Sequence, residues 1–131
     1  MDIAAHQGKG PVTLNDIAER QGISVKYLWQ VINPLKTAGL LNVTRGAKGG
    51  YVLARRPESI TMLEIMTTLE GPISLVDCIA EPGTCNHIDT CIARTVWMDV
   101  NRVVEKELKS ITLDDILHRC GESAEADNYV I

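Results

Sequence analysis

The chain contains no phenylalanine, and only two tryptophans and three tyrosines among 131 residues. A core built from it must be aliphatic, filled by leucine, isoleucine, valine and methionine. No apolar run approaches the ~20 residues of a membrane-spanning helix. Met1–Lys9 lacks the apolar stretch of a secretory signal, so a cytoplasmic protein with no membrane partner is expected. There is no Cys-x-x-Cys, no glycine-rich phosphate loop and no recognisable nucleophile–base pair, which argues against a small thiol oxidoreductase or any other enzyme. What is present is globular: 45% hydrophobic and 23% charged residues exclude a mostly disordered chain. The length suits one domain, with or without an appendage.

Charge is unevenly spread. Residues 1–56 carry eight Lys and Arg against three Asp and Glu, whereas residues 57–131 carry five against fourteen. The net charge of −4 argues against a protein that coats nucleic acid indiscriminately, but a basic half can still meet phosphates. The change falls at Arg55-Arg56-Pro57, a natural break between elements.

Thr13-Leu14-Asn15-Asp16 is a capping box, and Leu14, Ile17 and Ala18 follow at helical spacing until Gln21-Gly22. Ser24 caps a second helix with an inward stripe of Leu28, Val31, Ile32 and Leu35. Lys26, Gln30, Asn33 and Thr37 project from its opposite side, with Trp29 on the flank. Pro34 predicts a bend and Gly39 the end of that helix. Helix, short glycine-containing turn and second polar-faced helix make a helix-turn-helix. Leu40–Arg45 and Tyr51–Arg55 then flank a glycine-rich turn and predict a β-hairpin, the wing of a winged helix.

In a helix-turn-helix the second helix enters the major groove, its first residues nearest the bases. Lys26 can donate to guanine, and the Gln30 amide can pair with adenine. Ser24 and the free amides beside it suit a backbone phosphate. Arg45 suits a narrow minor groove, with Lys48 beside it at the hairpin tip.

Past Pro57 the pattern is helical again. Thr61-Met62-Leu63-Glu64 caps a helix carrying Met62, Ile65, Met66 and Leu69, ended by Gly71-Pro72. Residues 73–90 read as an irregular loop holding Cys78 and Cys85, with Cys91 at its edge. A longer helix from about Asp89 to Ser110 carries Ile92, Val96, Val100 and Val103 on one face. Thr112 caps a short final helix through Leu117, and the acidic stretch Gly121–Asn128 is expected to fray.

Six residues separate Cys78 from Cys85 and five separate Cys85 from Cys91. Thiolates bind soft metals, so a loop could wrap three of them around one cluster. The spacing also allows a reversible redox pair or ordinary cysteines, and Cys120 reads as a packing residue.

The run Ile17-Ala18-Glu19-Arg20-Gln21-Gly22-Ile23-Ser24, with Tyr27-Leu28, Ala38-Gly39-Leu40, Arg45-Gly46 and Gly49-Gly50-Tyr51, resembles the Rrf2 family of bacterial winged-helix regulators. Leu69-Glu70-Gly71-Pro72-Ile73 and Val76-Asp77-Cys78 extend the likeness, which covers about Ala4 to Leu117. The resemblance implies a mainly α fold with a small β-hairpin, and a homodimer on a palindromic operator in double-stranded DNA. It also implies an iron–sulfur cluster, [2Fe–2S] or [4Fe–4S], held by Cys78, Cys85 and Cys91. The alternative it allows is a cluster-free regulator that responds to thiol oxidation or a partner protein. On this likeness, residues 1–56 are a DNA-binding domain whose first helix is shortened to its final turns at Met1–His6. Residues 57–91 are a linking helix and sensor loop, and residues 92–131 a dimerisation helix, terminal helix and acidic tail. The resemblance implies a fourth ligand either at the position of Arg94, where other members have a histidine, or as a carboxylate on the partner's amino-terminal helix, which is shortened here; the local candidates are His87, Asp89, solvent or a small thiol.

Overall fold

Helix starts in the computed structural model follow the caps written in the sequence. It describes the backbone of residues 1–128 and the side chains of residues 1–124. A one-turn helix α1 (Asp2–Ala5) opens the chain. Helix α2 (Leu14–Gln21) begins at Thr13, whose hydroxyl accepts from the Asp16 amide while the Asp16 carboxylate accepts from the Thr13 amide, each at 3.1 Å. Gly22 ends it in the left-handed conformation at φ 64°, which glycine adopts without steric penalty. Helix α3 (Val25–Thr37) runs unbroken through Pro34, since proline removes only one donor and the amide of Ala38 still reaches the Pro34 carbonyl.

The hairpin pairs β1 (Leu41–Thr44) with β2 (Gly50–Leu53) antiparallel, with Leu41 opposite Leu53 and Thr44 opposite Gly50. Val12 bonds both ways with Tyr51, so the entry to α2 lies along the hairpin like a third, one-residue strand. Gly50 is required there, because a Cβ would lie 2.7 Å from the Val12 carbonyl oxygen.

Two aliphatic clusters hold these parts. Ile3, Val12, Ile17, Leu28, Ile32 and Leu41 form the first, beneath α3. Ala4, Leu40, Ile60 and Leu113 form the second, and Leu35 and Leu53 pack against both. Asp2 fastens α1 to α2 by hydrogen bonds from Arg20 and Gln21. Arg20 foremost, then Gln21, holds the Asp2 carboxyl below the usual carboxylate range.

Helix α4 (Met62–Glu70) starts at Thr61 and ends at Gly71. The irregular loop expected over residues 73–90 contains a short helix, α5 (Asp77–Ala80), and a 3₁₀ turn at Pro82–Thr84. Helix α6 (Ile92–Ser110) begins three residues later than Asp89, because residues 86–90 form turns. The final helix also departs from expectation: α7 (Leu113–Asn128) continues well past Leu117 and through the stretch expected to fray. Gly121 costs the helix only about 1 kcal/mol, and Glu, Ala and Ser around it tolerate helical geometry. The last part of the acidic tail, residues 129–131, lies outside the described residues.

Candidate nucleic-acid interface and cysteine segment

The basic half separates into occupied and available cations. Arg20 pairs with Asp2, Arg55 with Glu64 and Arg56 with Glu58. Among the described residues of this half, Lys9, Lys26, Lys36, Arg45 and Lys48 enter no ion pair, and all five are exposed. Of these, Lys26 at the start of α3 and Arg45 and Lys48 on the wing lie on the two elements that a winged helix offers to DNA. Burial of Leu28 and Ile32 fixes the rotation of α3, which turns Lys26, Gln30, Asn33 and Thr37 outward. The Ser24 hydroxyl oxygen accepts from the Tyr27 amide at 3.1 Å. Its proton stays available, as do the amides of Val25 and Lys26 in a first turn that has no carbonyls of its own to offer them. Tyr27 and Trp29 are each more than half exposed on the same helix. Sequence reasoning placed Trp29 on the flank and gave Tyr27 no such role, although its position between Lys26 and Leu28 already sets it outside the inward stripe.

The three loop cysteines sit in different local settings. Cys78 is in α5, Cys85 follows the Pro82–Thr84 turn, and Cys91 is the N-cap of α6. All three are half-buried and free, while Cys120 on α7 is free and exposed. Among the described residues, no three His, Cys, Asp or Glu side chains converge as a metal site. The donors have the right chemistry for an iron–sulfur cluster, but as folded here the residues do not fit one. His87 and Asp89 are exposed. Arg94 is half-buried, and its Nε is buried without a hydrogen-bond partner.

Helix α6 has two unlike faces. Ile92, Val96, Val100 and Val103 point outward, with Ile92 81% and Val103 67% exposed. Met98, Asn101, Glu105 and Leu108 lie on the opposite side, where α6 packs on α4. Asn101, only 5% exposed, is the buried polar residue among the described residues. Its Oδ1 accepts from the Leu75 amide at 3.1 Å, and its Nδ2 donates to the Ile73 carbonyl at 3.0 Å and to Glu105 Oε1 at 3.1 Å. Asn101 was missed from sequence, though an asparagine on the inward side of an otherwise apolar-and-charged helix was the available signal.

A helix-turn-helix followed directly by a hairpin, with a long helix behind it, defines the class: a winged-helix transcriptional regulator. A family model described as "Iron-dependent Transcriptional regulator", Rrf2, matches residues 1–119. The protein rrf2 of Nitratidesulfovibrio vulgaris is 39% identical over 117 residues, spanning 89% of this chain and 78% of that protein. The regulator CymR of Bacillus subtilis is 35% identical over 131 residues, spanning all of this chain and 90% of CymR. The solved structure of T. potens IscR matches with a TM-score of 0.75 at 41% identity, covering 93% of this chain and 80% of that one. The chain belongs to the Rrf2 family of transcriptional regulators. No helix among the described residues is long and apolar enough to cross a membrane.

Proposed function

We propose that this Rrf2-type regulator acts as a homodimer on a palindromic operator, with Lys26 and Gln30 of α3 in the major groove, Ser24 at the N-cap of α3 on a backbone phosphate, and Arg45 and Lys48 of the wing on the adjoining minor groove and phosphates. The single observation that carries this reading is the placement of exposed cations without an ion pair on both DNA-facing elements, Lys26 at the start of α3 and Arg45 and Lys48 on the wing. The outward valine stripe of α6 supports the dimer, because a projecting apolar face on a small domain is covered by a second copy. Two half-sites one helical turn apart would then mirror the two-fold axis.

The test is operator binding over a range of salt. Each phosphate contact contributes about 0.9 to the slope of log affinity against log salt. Arg45→Ala and Lys48→Ala should each lower the slope by about that amount, and Gln30→Ala should leave the slope while relaxing base preference. Unchanged slopes in both wing variants overturn the placement of the wing.

We assign sensing to residues 57–91, through Cys78, Cys85 and Cys91. In the iron–sulfur reading, Cys78, Cys85 and Cys91 would hold a [2Fe–2S] or [4Fe–4S] cluster, whose presence would report iron–sulfur, redox or nitric oxide status. The IscR relatives and the donor chemistry support it. A second reading, a cluster-free regulator answering to thiol oxidation or a partner protein, is favoured by one observation: the three thiols are dispersed over α5, a turn and the start of α6. Likeness to CymR, whose solved structure is described as that of a global cysteine regulator, supports this second reading. Iron and sulfide counts after anaerobic reconstitution separate the two. About two or four of each per chain supports the first, and none supports the second. In either case, a coupling of about 1–3 kcal/mol between segment and DNA site is a 5- to 150-fold change in affinity, enough for a switch.

A further inference from the structure

The segment from Ile73 to Cys91 is fastened to α6 at both ends. At its far end the fastening is covalent, since Cys91 is the residue that caps α6. At its near end the fastening is the Asn101 amide, which grips the backbone at Ile73 and Leu75, three residues before Cys78. Along α6 the two fixed points are ten residues apart, about 15 Å at 1.5 Å per residue. A loop closed at both ends on one helix passes to that helix whatever strain its rearrangement builds at those ends.

The grip has a defined orientation. Nδ2 faces two acceptors, the Ile73 carbonyl and Glu105, while Oδ1 faces one donor, the Leu75 amide. Both bonds to the segment are made by one planar group, so they form and break together. A side chain of similar size without that pattern cannot replace it. An aspartate would turn carboxylate oxygens toward the Ile73 carbonyl and Glu105. Its chain neighbours Val100 and Val103 belong to the outward stripe of the same helix, so the grip lies behind the proposed dimer contact.

We infer that Asn101 is the positioning residue through which the state of the cysteine segment reaches α6 and, through it, the spacing of the two DNA-reading heads. The inference rests on the sensing role proposed above and names the residue that transmits it. Asn101 touches no thiol in this scheme. It acts by holding residues 73–75 on α6 in one state of the segment and releasing them in the other.

The experiment uses the full chain and a duplex recovered by the wild type from random-sequence DNA. Affinity is measured for three forms: reduced and iron-free, reconstituted with ferrous iron and sulfide, and oxidised with diamide. Hydrogen exchange at residues 73–77 is followed in parallel. The wild type should show a ratio between its strongest and weakest forms within the roughly 5- to 150-fold range of such couplings. Asn101→Asp and Asn101→Ala should bring that ratio to within about twofold, with faster exchange at residues 73–77, while dimer mass and helix content stay as in the wild type. Glu105→Gln keeps an acceptor oxygen for Nδ2 and should preserve the ratio, which separates loss of the grip from general loosening of α6. If the wild type shows the same affinity in all three forms, the sensing role fails and this inference with it. If the wild type switches and both Asn101 variants switch equally strongly, the inference alone is overturned. Should Asn101→Asp fail to fold, Asn101→Ala decides.

Discussion

Shortening Val103 to alanine should weaken self-association about thirtyfold without disturbing the individual fold. Val103 is 67% exposed on α6, so little of it is used within the chain. Removing two methyl-sized groups forfeits about 1.6 kcal/mol if they go from fully exposed to fully covered. Scaling by the exposed two-thirds leaves roughly 1 kcal/mol per copy, and a two-fold axis counts the position twice. About 2 kcal/mol corresponds to about a thirtyfold rise in the dimer dissociation constant. Val103→Asp adds a carboxylate at the same place, where desolvation without a partner costs several kcal/mol per ion, so this variant should be monomeric at micromolar concentration. Sedimentation velocity over a concentration series reads both effects, and far-ultraviolet circular dichroism checks that α6 remains helical. A wild type that sediments as a monomer, or variants with the wild-type dissociation constant, would refute the reasoning. So would a large loss of helix in Val103→Ala, because the side chain would then be supporting the single chain.

Two further predictions concern the fold itself. Gly50→Ala should lower the denaturant midpoint with an unchanged slope, because the new Cβ would meet Val12 backbone atoms at 2.7–2.9 Å and force the hairpin and the α2 entry apart. Overpacking of this kind costs about 1–3 kcal/mol, and a midpoint equal to the wild type would show that the one-residue bridge is dispensable. Asp2 predicts a pH dependence. Its carboxyl is held below the ordinary value of 3.8, chiefly by Arg20, so its contribution is complete above that value and disappears as the pH falls through the lower folded one. Asp2→Asn should therefore melt below the wild type at pH 7, and the two curves should converge in acid. Parallel curves over the whole acid range would count against the ion pair.

The sequence carried the helix-turn-helix and hairpin well because their signals are local. A hydroxyl and a carboxylate three residues apart fix the start of α2, Ser24 fixes α3, and glycines at positions 22 and 39 mark turns with positive φ. Inward and outward faces of α3 follow from spacing alone. The outward stripe of α6 was equally legible, but spacing could not say whether it faced the chain or another copy. What escaped reading depends on distant partners. Asn101 looks like an unremarkable helical polar residue until residues 26 and 28 positions earlier are placed against it. The extent of α7 escaped for a different reason: a glycine and an acidic run resemble a frayed end, yet each costs the helix little. In the cysteine segment, spacing identified the donors but not their dispersal over three local structures.

Ile60, 1% exposed, and Leu113, 3% exposed, pack together in the second cluster, and the Leu113 amide bonds to the Ile60 carbonyl while the Met62 amide bonds to the Ile111 carbonyl. The winged-helix head is thus finished by a residue from the far side of the long helix. A ribosome must deliver Leu113 before the second cluster can close, and a protease that clips between α4 and α6 should leave two pieces held together by that cluster. The arm and the head share that cluster, so whatever bends the arm is felt at the base of the head.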